Sequence, residues 1–452
     1  MLGIKQRTFA AMQNFSVDTI LSNMKIDKLN EMQLAAMDAG QKDNDMVLLS
    51  ATGSGKTIAF LMPIVAQLDK HNKNTRAIIV VPSRELAQQI ELVFKSMGTG
   101  FKTTCCYGGH KREIEENNLI EPPAVLIGTP GRLCDHIRRE SITTDTITTI
   151  VLDEFDKSLE LGFLEEVSFI IESLPNINKR ILTSATEAVE IPDFLQLENP
   201  VRLNYITEKL TESLGLEVKT LHSADKDKLE ALLELICQIG NRSAIIFCNH
   251  RESVERTSNW LAEQGVLNEF YHGAMEQKDR DSALFKFRSG AVDFLVTTDI
   301  AARGLDIPNI RYIIHYHLPH TEDIFTHRNG RTARMDASGT AILILSEEEK
   351  LPSYLDAETV TKMEIQEGNH LPEKPKWTAL FIAAGKKDKV NKIDIVGFLS
   401  QQAELKKEDI GLIEVKDFFS FVSIKKIKAS HALHLIKDKK IKNKKVKIAI
   451  AK

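Results

Sequence analysis

No stretch of this 452-residue chain approaches the ~20 consecutive apolar residues that cross a bilayer as a helix. The opening residues Met1-Leu2-Gly3-Ile4-Lys5 lack the apolar core of a secretory signal. No membrane partner is therefore expected, and the cytoplasm is the expected location. Cysteine is scarce: Cys105, Cys106, Cys134, Cys237 and Cys248 are the five present, and none forms a C-x-x-C pair. Their apolar or loop surroundings favour reduced structural thiols over zinc ligands or disulfides. Outside a lysine-rich end there is no low-complexity tract, and no short-period repeat.

What the chain does contain is ordinary for globular protein, 42% hydrophobic and 27% charged residues, and its length suits about three domains. The net charge of −4 argues on its face against a nucleic-acid binder, but it hides an asymmetry. From Trp377 onward there are 18 Lys against 8 Asp or Glu, a balance of +10 that leaves −14 on the preceding residues. An acidic body with a basic tail points to an anionic partner for the tail.

The most informative stretch is Ser50-Ala51-Thr52-Gly53-Ser54-Gly55-Lys56-Thr57, set between the apolar runs Met46 to Leu49 and Ile58 to Leu61. A buried strand, a Gly-rich turn and a helix start are the parts of a phosphate-binding loop. Glycines let backbone N–H groups face the phosphates, Lys56 neutralises charge and Thr57 offers a hydroxyl to Mg²⁺. The plain alternative is a Gly-rich turn that only caps a helix. Against it stands Asp153-Glu154-Phe155-Asp156, roughly 100 residues on, directly after the apolar run Ile150 to Leu152. Asp153 thus falls at a strand's C-terminal end, where such sheets bind ligands; it can hold Mg²⁺, and Glu154 can activate water. Ser184-Ala185-Thr186 ends the following strand with hydroxyls suited to hydrogen-bonding that acidic loop.

Apolar runs at 46–49, 77–81, 124–127, 150–152 and 180–182, with helical patterns between several of them, predict a parallel sheet covered on both faces. A second series at 244–247, 268–271, 293–297, 312–315 and 340–345 predicts another. The expected architecture is α/β: two tandem parallel-sheet domains, 1–206 and 215–352. They precede a proline-containing linker with a helix, 353–375, and a basic α+β domain, 376–452.

Further motifs follow in order: Gln33; Pro82-Ser83-Arg84-Glu85-Leu86-Ala87; Gly108-Gly109; Thr129-Pro130-Gly131-Arg132; Ile246-Phe247-Cys248-Asn249; Gln277-x-x-Arg280. Then come Thr298-Asp299-Ile300-Ala301-Ala302-Arg303-Gly304-Leu305-Asp306 and His327-Arg328-Asn329-Gly330-Arg331-Thr332-Ala333-Arg334. With the phosphate loop and acidic loop, this ordered set resembles the DEAD-box RNA helicases of superfamily 2 over about residues 15 to 345. The resemblance implies an RNA-stimulated ATPase whose two tandem parallel-sheet domains are RecA-like. Gln33 would read adenine; Thr52, Gly53, Ser54, Gly55, Lys56, Thr57, Asp153 and Asp306 would bind ATP, with Thr57 and Asp153 on Mg²⁺. Lys56, Glu154 and the fingers Arg331 and Arg334 would act in hydrolysis. Arg84, Gly109, Thr129, Arg132, Arg280 and Thr298 would grip RNA phosphates and 2′-hydroxyls, and Asp156, Ser184, Thr186 and His327 would couple the two activities. The fingers lie three apart on one helical face and belong to the second domain, so hydrolysis would require cleft closure. Closure would bend one RNA strand and pry apart a few base pairs.

Three places depart from the family pattern. Phe155 stands where Ala is usual, a small-to-large change that neighbours must accommodate. Ile26, Leu29 and Asn30 stand where an aromatic, and a proline followed by Thr or Ser, are usual before Gln33, with Phe15 a more distant aromatic candidate, so weaker adenine discrimination is expected. Ser50 replaces an Ala.

The tail reads as a βαββαβ module with strands near 379–382, 410–415, 418–424 and 446–451. Phe419-Ser420-Phe421-Val422 matches the core of the RRM octapeptide. Phe381, Phe419 and Phe421 share one sheet face, either as a base-stacking platform or as core. Gly385-Lys386-Lys387-Asp388-Lys389 and Ile441-Lys442-Asn443-Lys444-Lys445-Val446-Lys447 resemble the RNA-binding domain of the DbpA and YxiN subfamily. That resemblance implies a hairpin of large-subunit ribosomal RNA and the pre-ribosomal large subunit as partners, with Lys386, Lys387, Lys442, Lys444 and Lys445 as contacts. The lysines could instead form only a solvated face. Two other readings stay open: an RNA-binding scaffold with an idle nucleotide site, and a DNA helicase of the same superfamily.

Overall fold

A computed structural model of the chain describes residues 16–40, 45–50, 53–109, 112–186, 191–197, 199–206, 216–299, 310–330, 339–366, 368, 370–442 and 444–451. The described residues fall into two compact units, one ending at residue 206 and one beginning at residue 216.

In the first unit the apolar runs become β1 (Met46–Ser50), β2 (Ala77–Val80), β3 (Thr103–Cys106), β4 (Val125–Gly128), β5 (Thr149–Leu152), β6 (Lys179–Ser184) and β7 (Val201–Tyr205). They pair in parallel in the order β3-β4-β2-β5-β6-β1-β7. Parallel pairing demands helical crossovers. The chain supplies α1 (Val17–Met24), α2 (Glu31–Gly40), α3 (Lys56–Gln67), α4 (Arg84–Ser96), α5 (Arg112–Leu119), α6 (Pro130–Arg138), α7 (Phe155–Glu160) and α8 (Leu164–Glu172). Helices on both faces bury every residue of a central strand, which explains continuous apolar runs in place of alternation. Along β2, Ala77 and Ile79 enter one apolar layer while Ile78 and Val80 enter the other.

The second unit opens with β8 (Leu216–His222), β9 (Ala244–Phe247), β10 (Asn268–Tyr271), β11 (Phe294–Thr297), β12 (Tyr312–His315), β13 (Gly339–Leu345) and β14 (Thr361–Lys362). Their parallel order is β10-β11-β9-β12-β13-β8-β14. Counted along the chain, this repeats the order of the first sheet strand for strand. Helices α9 (Leu229–Ile239), α10 (Arg251–Glu263), α11 (Gln277–Arg288) and α12 (Glu322–Asn329) accompany it. The helix expected within 353–375 does not form among the described residues. Thr361 and Lys362 instead pair with Lys219 and Thr220 of β8, while Tyr354 and Leu355 pack on the unit's apolar cluster. Prolines and a lack of helical periodicity leave this stretch extended, and an extended segment can cover the open edge of a sheet.

The basic domain forms β15 (Trp377–Ile382), α13 (Lys392–Gln402), β16 (Ile410–Val415), β17 (Ser420–Lys425), α14 (Lys426–Ile436), the pair β18 (Lys440–Ile441) and β19 (Lys444–Lys445), and β20 (Ile448–Ile450). The antiparallel order is β16-β17-β15-β20. Period-two alternation separates its faces. Leu380, Ile382, Val422 and Ile424 pack under the two helices; Ala379, Phe381 and Phe421 face the other way and meet Phe285 of α11. Phe285 and Phe421 stack at 5.2 Å, the Lys278 ammonium lies 4.4 Å from the Phe381 ring centroid, and Lys416–Asp281 and Arg288–Glu414 pairs close the contact at 3.2 and 3.4 Å. Of the two roles open to the aromatic face, the structure selects core.

Candidate nucleotide and RNA sites

The phosphate loop leaves β1 at Ser50 and enters α3 at Lys56. Gly53 and Gly55 have φ of +85° and +92°, a left-handed backbone that other residues adopt at a cost. A Cβ on Gly55 would also lie 2.5 Å from Gln33 Nε2. Lys56 is buried and its Nζ donates to the Ser50 carbonyl. The Ser50 hydroxyl donates to Ser54 Oγ at 2.6 Å, so the serine in place of alanine braces the turn. Gln33 Nε2 donates to the Gly55 carbonyl at 3.3 Å. Asn30 joins α2 to the phosphate loop through three hydrogen bonds. Its N–H donates to Gln33 Oε1 at 3.0 Å, its Oδ1 accepts from Gln33 N at 2.9 Å, and its Nδ2 donates to the Ser54 carbonyl at 3.0 Å. The result is a reciprocal cap on α2 fastened to the phosphate loop. Thr57 is the second residue of α3.

Because β6 lies between β5 and β1, the acidic loop after β5 shares the sheet's C-terminal edge with the phosphate loop. Asp153 Oδ1 accepts from the Thr183 hydroxyl, whose oxygen accepts from Glu154 N at 3.2 Å. Burial raises the Asp153 pKa, opposed by the Thr183 hydrogen bond and the Lys56 ammonium. Glu154 itself has φ +50°, a strained conformation that sets the loop's turn. Burial likewise raises Asp156, opposed by Lys157 and Lys56. The hydroxyl that meets the acidic loop is Thr183, one residue before the expected Ser184; Ser184 Oγ instead accepts from Thr186 N at 3.0 Å and donates to the Thr186 carbonyl at 2.9 Å. Strand alternation decides this, since neighbours on β6 point to opposite faces. Phe155, 2% exposed, turns into the apolar layer with Ile150, Leu152 and Leu182, away from the acidic side chains.

At the ends of β2, β3 and β4 the expected RNA contacts of the first unit gather. Arg84 is the first residue of α4, and a Cβ on Gly109, where φ is +84°, would lie 2.8 Å from its Nη1. Thr129 N donates to the Cys106 carbonyl at 3.1 Å. Arg132 Nε lies 3.3 Å from the Tyr107 carbonyl and 3.2 Å from Glu115 Oε2. Fully buried Glu115 also accepts from Tyr107 N at 3.1 Å and meets His136 Nε2 at 2.9 Å. Cys106, Glu115 and His136 offer possible ligand atoms within 4.8 Å of one another, yet the carboxylate is already engaged by three donors. No local sequence pattern marks Glu115 or His136.

In the second unit, Arg280 on α11 is buried and its Nη2 and Nε donate to the Tyr271 hydroxyl at 2.8 and 3.2 Å. Thr298 follows β11 directly, beside Thr297, whose hydroxyl donates to the Tyr271 carbonyl at 2.8 Å. His327 is buried on α12. Its neighbour Arg328 is 2% exposed. Arg328 reaches Asp299 Oδ2 and Asn249 Oδ1 at 2.9 Å each and the His317 carbonyl at 2.7 Å, tying three of the motifs together. Phe15, Thr52, Asp306, Arg331 and Arg334 lie outside the described residues.

The tail lysines are exposed, but not equally free. Lys442 pairs with Asp394 at 2.8 Å, Lys444 with Asp388 at 2.5 Å and Lys445 with Asp438 at 2.7 Å. Lys386 and Lys387 occupy a short turn and have no ion-pair partner among the described residues.

Comparison with known proteins agrees with this layout. The chain matches the DEAD/DEAH box helicase model over residues 30–194, the helicase conserved C-terminal domain over 227–336 and the DbpA RNA binding domain over 379–450. It is 30% identical over 450 residues to the ATP-dependent RNA helicase DbpA of Bacillus subtilis, covering 92% of this chain and 94% of that protein. The Escherichia coli protein of the same name is 29% identical, with 98% and 100% covered. Among solved structures, Saccharomyces cerevisiae Dbp5 bound to RNA and ADP BeF3 aligns with a TM-score of 0.66 at 25% identity, covering 76% of this chain and 93% of that one. Mss116 bound to ssRNA and UDP-BeF aligns at 0.65 and 25%, covering 77% and 78%. The chain belongs to the DEAD-box ATP-dependent RNA helicases and carries a DbpA-type RNA-binding domain at its end.

Proposed function

We propose that this helicase hydrolyses ATP where the phosphate loop meets Asp153 and Glu154, and that it remodels structured large-subunit ribosomal RNA in assembling ribosomes. The observation that carries the catalytic part is the shared sheet edge: buried Lys56 and buried Asp153 approach closely enough for the ammonium to stabilise the carboxylate. Thr57 and Asp153 provide the hard oxygen donors that suit Mg²⁺, which would screen phosphate charge there. Backbone N–H groups of Gly53 to Lys56 cradle phosphates, Gln33 contacts adenine, and Glu154 takes the proton from the attacking water. Arg331 and Arg334 supply positive charge to the reacting phosphoryl group, so turnover needs both units. Arg84, Gly109, Thr129, Arg132, Arg280 and Thr298 hold one RNA strand by its backbone, and Asp156, Ser184, Thr186 and His327 relay RNA binding to the ATP site.

The ribosomal assignment is supported by the DbpA-type tail and by its +10 charge, which favours phosphate. Turnover measured against a panel of RNAs tests both parts. Ribosomal large-subunit fragments should stimulate at lower concentration than unrelated RNAs of equal length, and DNA should not stimulate. Glu154→Gln should keep RNA and nucleotide binding while losing at least ~100-fold in turnover; parental turnover in that variant would overturn the assignment of the base.

A further inference from the structure

We propose that the tail stacks an unpaired RNA base on Phe418, with Lys386 and Lys387 receiving the flanking phosphates; this rests on the reading that the tail binds RNA. The sheet face on which a module of this shape could stack bases is occupied by the chain itself. Phe381, Phe419 and Phe421 pack on one another at 5.4 to 5.8 Å between ring centroids, and α11 covers them through Phe285 and Lys278. A base could enter there only by breaking those contacts together with the Lys416–Asp281 and Arg288–Glu414 pairs.

The adjacent aromatic has the opposite fate. Lys416 N donates to the Phe419 carbonyl at 2.9 Å, so Asp417 and Phe418 form the two-residue tip of the β16–β17 hairpin, and Phe418 is 51% exposed. Hairpin tips favour Gly, Asn and Asp for their backbone freedom. Neither turn chemistry nor packing calls for a phenyl ring at this position.

The tip is held against basic segments. Lys386 N donates to the Lys416 carbonyl and Lys387 N to the Asp417 carbonyl, each at 2.9 Å. The approach is close enough that a Cβ on Gly385 would lie 2.2 Å from the Lys416 oxygen. Lys442 Nζ donates to the Lys389 carbonyl and pairs with Asp394, and Lys444 pairs with Asp388, which brings the β18–β19 loop to the same turn. Acidic partners thus engage Lys442 and Lys444, whereas Lys386 and Lys387, whose backbone is hydrogen-bonded to the tip that carries the ring, have no ion-pair partner among the described residues. A ring flanked by uncompensated cations is the arrangement that binds unstacked nucleotides by face and phosphate.

Full-length protein and an RNA hairpin with 2-aminopurine in its single-stranded loop provide the test. The parent should bind the hairpin more tightly than a loopless duplex of equal length and should quench the probe's fluorescence by stacking. Phe418→Leu should weaken hairpin binding about 5- to 100-fold, abolish the quench and leave the salt dependence unchanged; Phe418→Trp should retain both binding and quench. Lys386→Glu with Lys387→Glu should reduce the salt slope by about two. Unaltered thermal unfolding of each variant shows that folding is intact. Parental affinity and quench in Phe418→Leu would overturn the stacking site while leaving RNA binding by the tail in place. A parent with no preference for the hairpin would overturn that underlying reading, and the stacking site with it.

Discussion

The two seven-stranded sheets have the same strand order, yet they treat the lysine after their first strand in opposite ways. Lys56 begins α3 and donates to the neutral Ser50 carbonyl, after a loop in which Gly53 and Gly55 take positive φ. Lys228 caps α9 and donates to the Ile344 carbonyl at 3.1 Å and to Glu349 Oε2 at 2.8 Å. The loop before Lys228 carries Asp225 and Asp227 in place of glycines. Glu349 already occupies the Lys228 ammonium and the loop before it has no glycine, so the shared sheet provides only a frame. Loop chemistry is what distinguishes the two copies.

The sharpest way to break this contrast is to remove each lysine. Lys56→Met should lower ATP turnover by at least ~100-fold, the scale expected for losing a charge aimed at a phosphoryl group. Lys228→Met should stay within about threefold of the parent in turnover and instead cost about 1–3 kcal/mol of stability, as buried acceptors lose their donor. Steady-state kinetics and chemical unfolding distinguish the outcomes. Equal losses of turnover would mean that the second loop is not the inert copy described.

A second contrast concerns the arginines expected to touch RNA. Arg132 is held by the buried Glu115 carboxylate, Arg280 by the neutral Tyr271 hydroxyl. Glu115→Gln keeps the shape but removes the charge from a site shared by Arg132, His136 and Tyr107 N. It should lower stability by about 3 kcal/mol and raise the RNA concentration for half-maximal stimulation about fivefold. Tyr271→Phe removes one neutral acceptor. It should cost about 1 kcal/mol and raise that concentration about threefold. If Tyr271→Phe were the more damaging of the two, charge compensation would not be what separates the arginines.

These contrasts also show where the sequence was readable. Central strands of a parallel sheet are buried on both faces, so β1, β2, β4, β5, β9 and β12 stand out as apolar runs. Edge strands β3, β7 and β14 carry Thr-Thr-Cys-Cys, Val-Arg-Leu-Asn-Tyr and Thr-Lys; only their neighbours make them strands. The phosphate loop and acidic loop were legible as candidates because each is a contiguous run directly after an apolar strand, and the sheet order sets both at one edge. Thr183, Glu115, His136 and Tyr271 act through partners distant in sequence, and their identity follows from the fold alone. The tail aromatics were half legible: alternation put Phe381 and Phe421 on one face, but only the docked α11 reveals that the face is closed.

The smallest effect separates the units by acid. In the second unit burial and neighbouring Arg328 hold His315 well below its ordinary pKa, and burial with Lys228 lowers His317 to about 4. An unfolded chain takes up those protons near pH 6.5, so their contribution is complete above 6.5 and is lost as the pH falls toward 4. For partly exposed His317 this is on the order of 1–2 kcal/mol after solvent screening. In the first unit the sign reverses. Burial raises Asp153 and Asp156, so the folded state binds protons more readily than the unfolded one, and acidification relieves their cost. Both tryptophans, Trp260 and Trp377, lie in the second unit, so intrinsic fluorescence follows that unit while circular dichroism follows the whole chain. Between pH 7 and 5 the fluorescence-detected melting temperature should fall more than the first unit's share of the dichroism transition, and His317→Gln should reduce the difference. Equal shifts by both probes would mean that the two copies of the sheet bury their titrating groups alike.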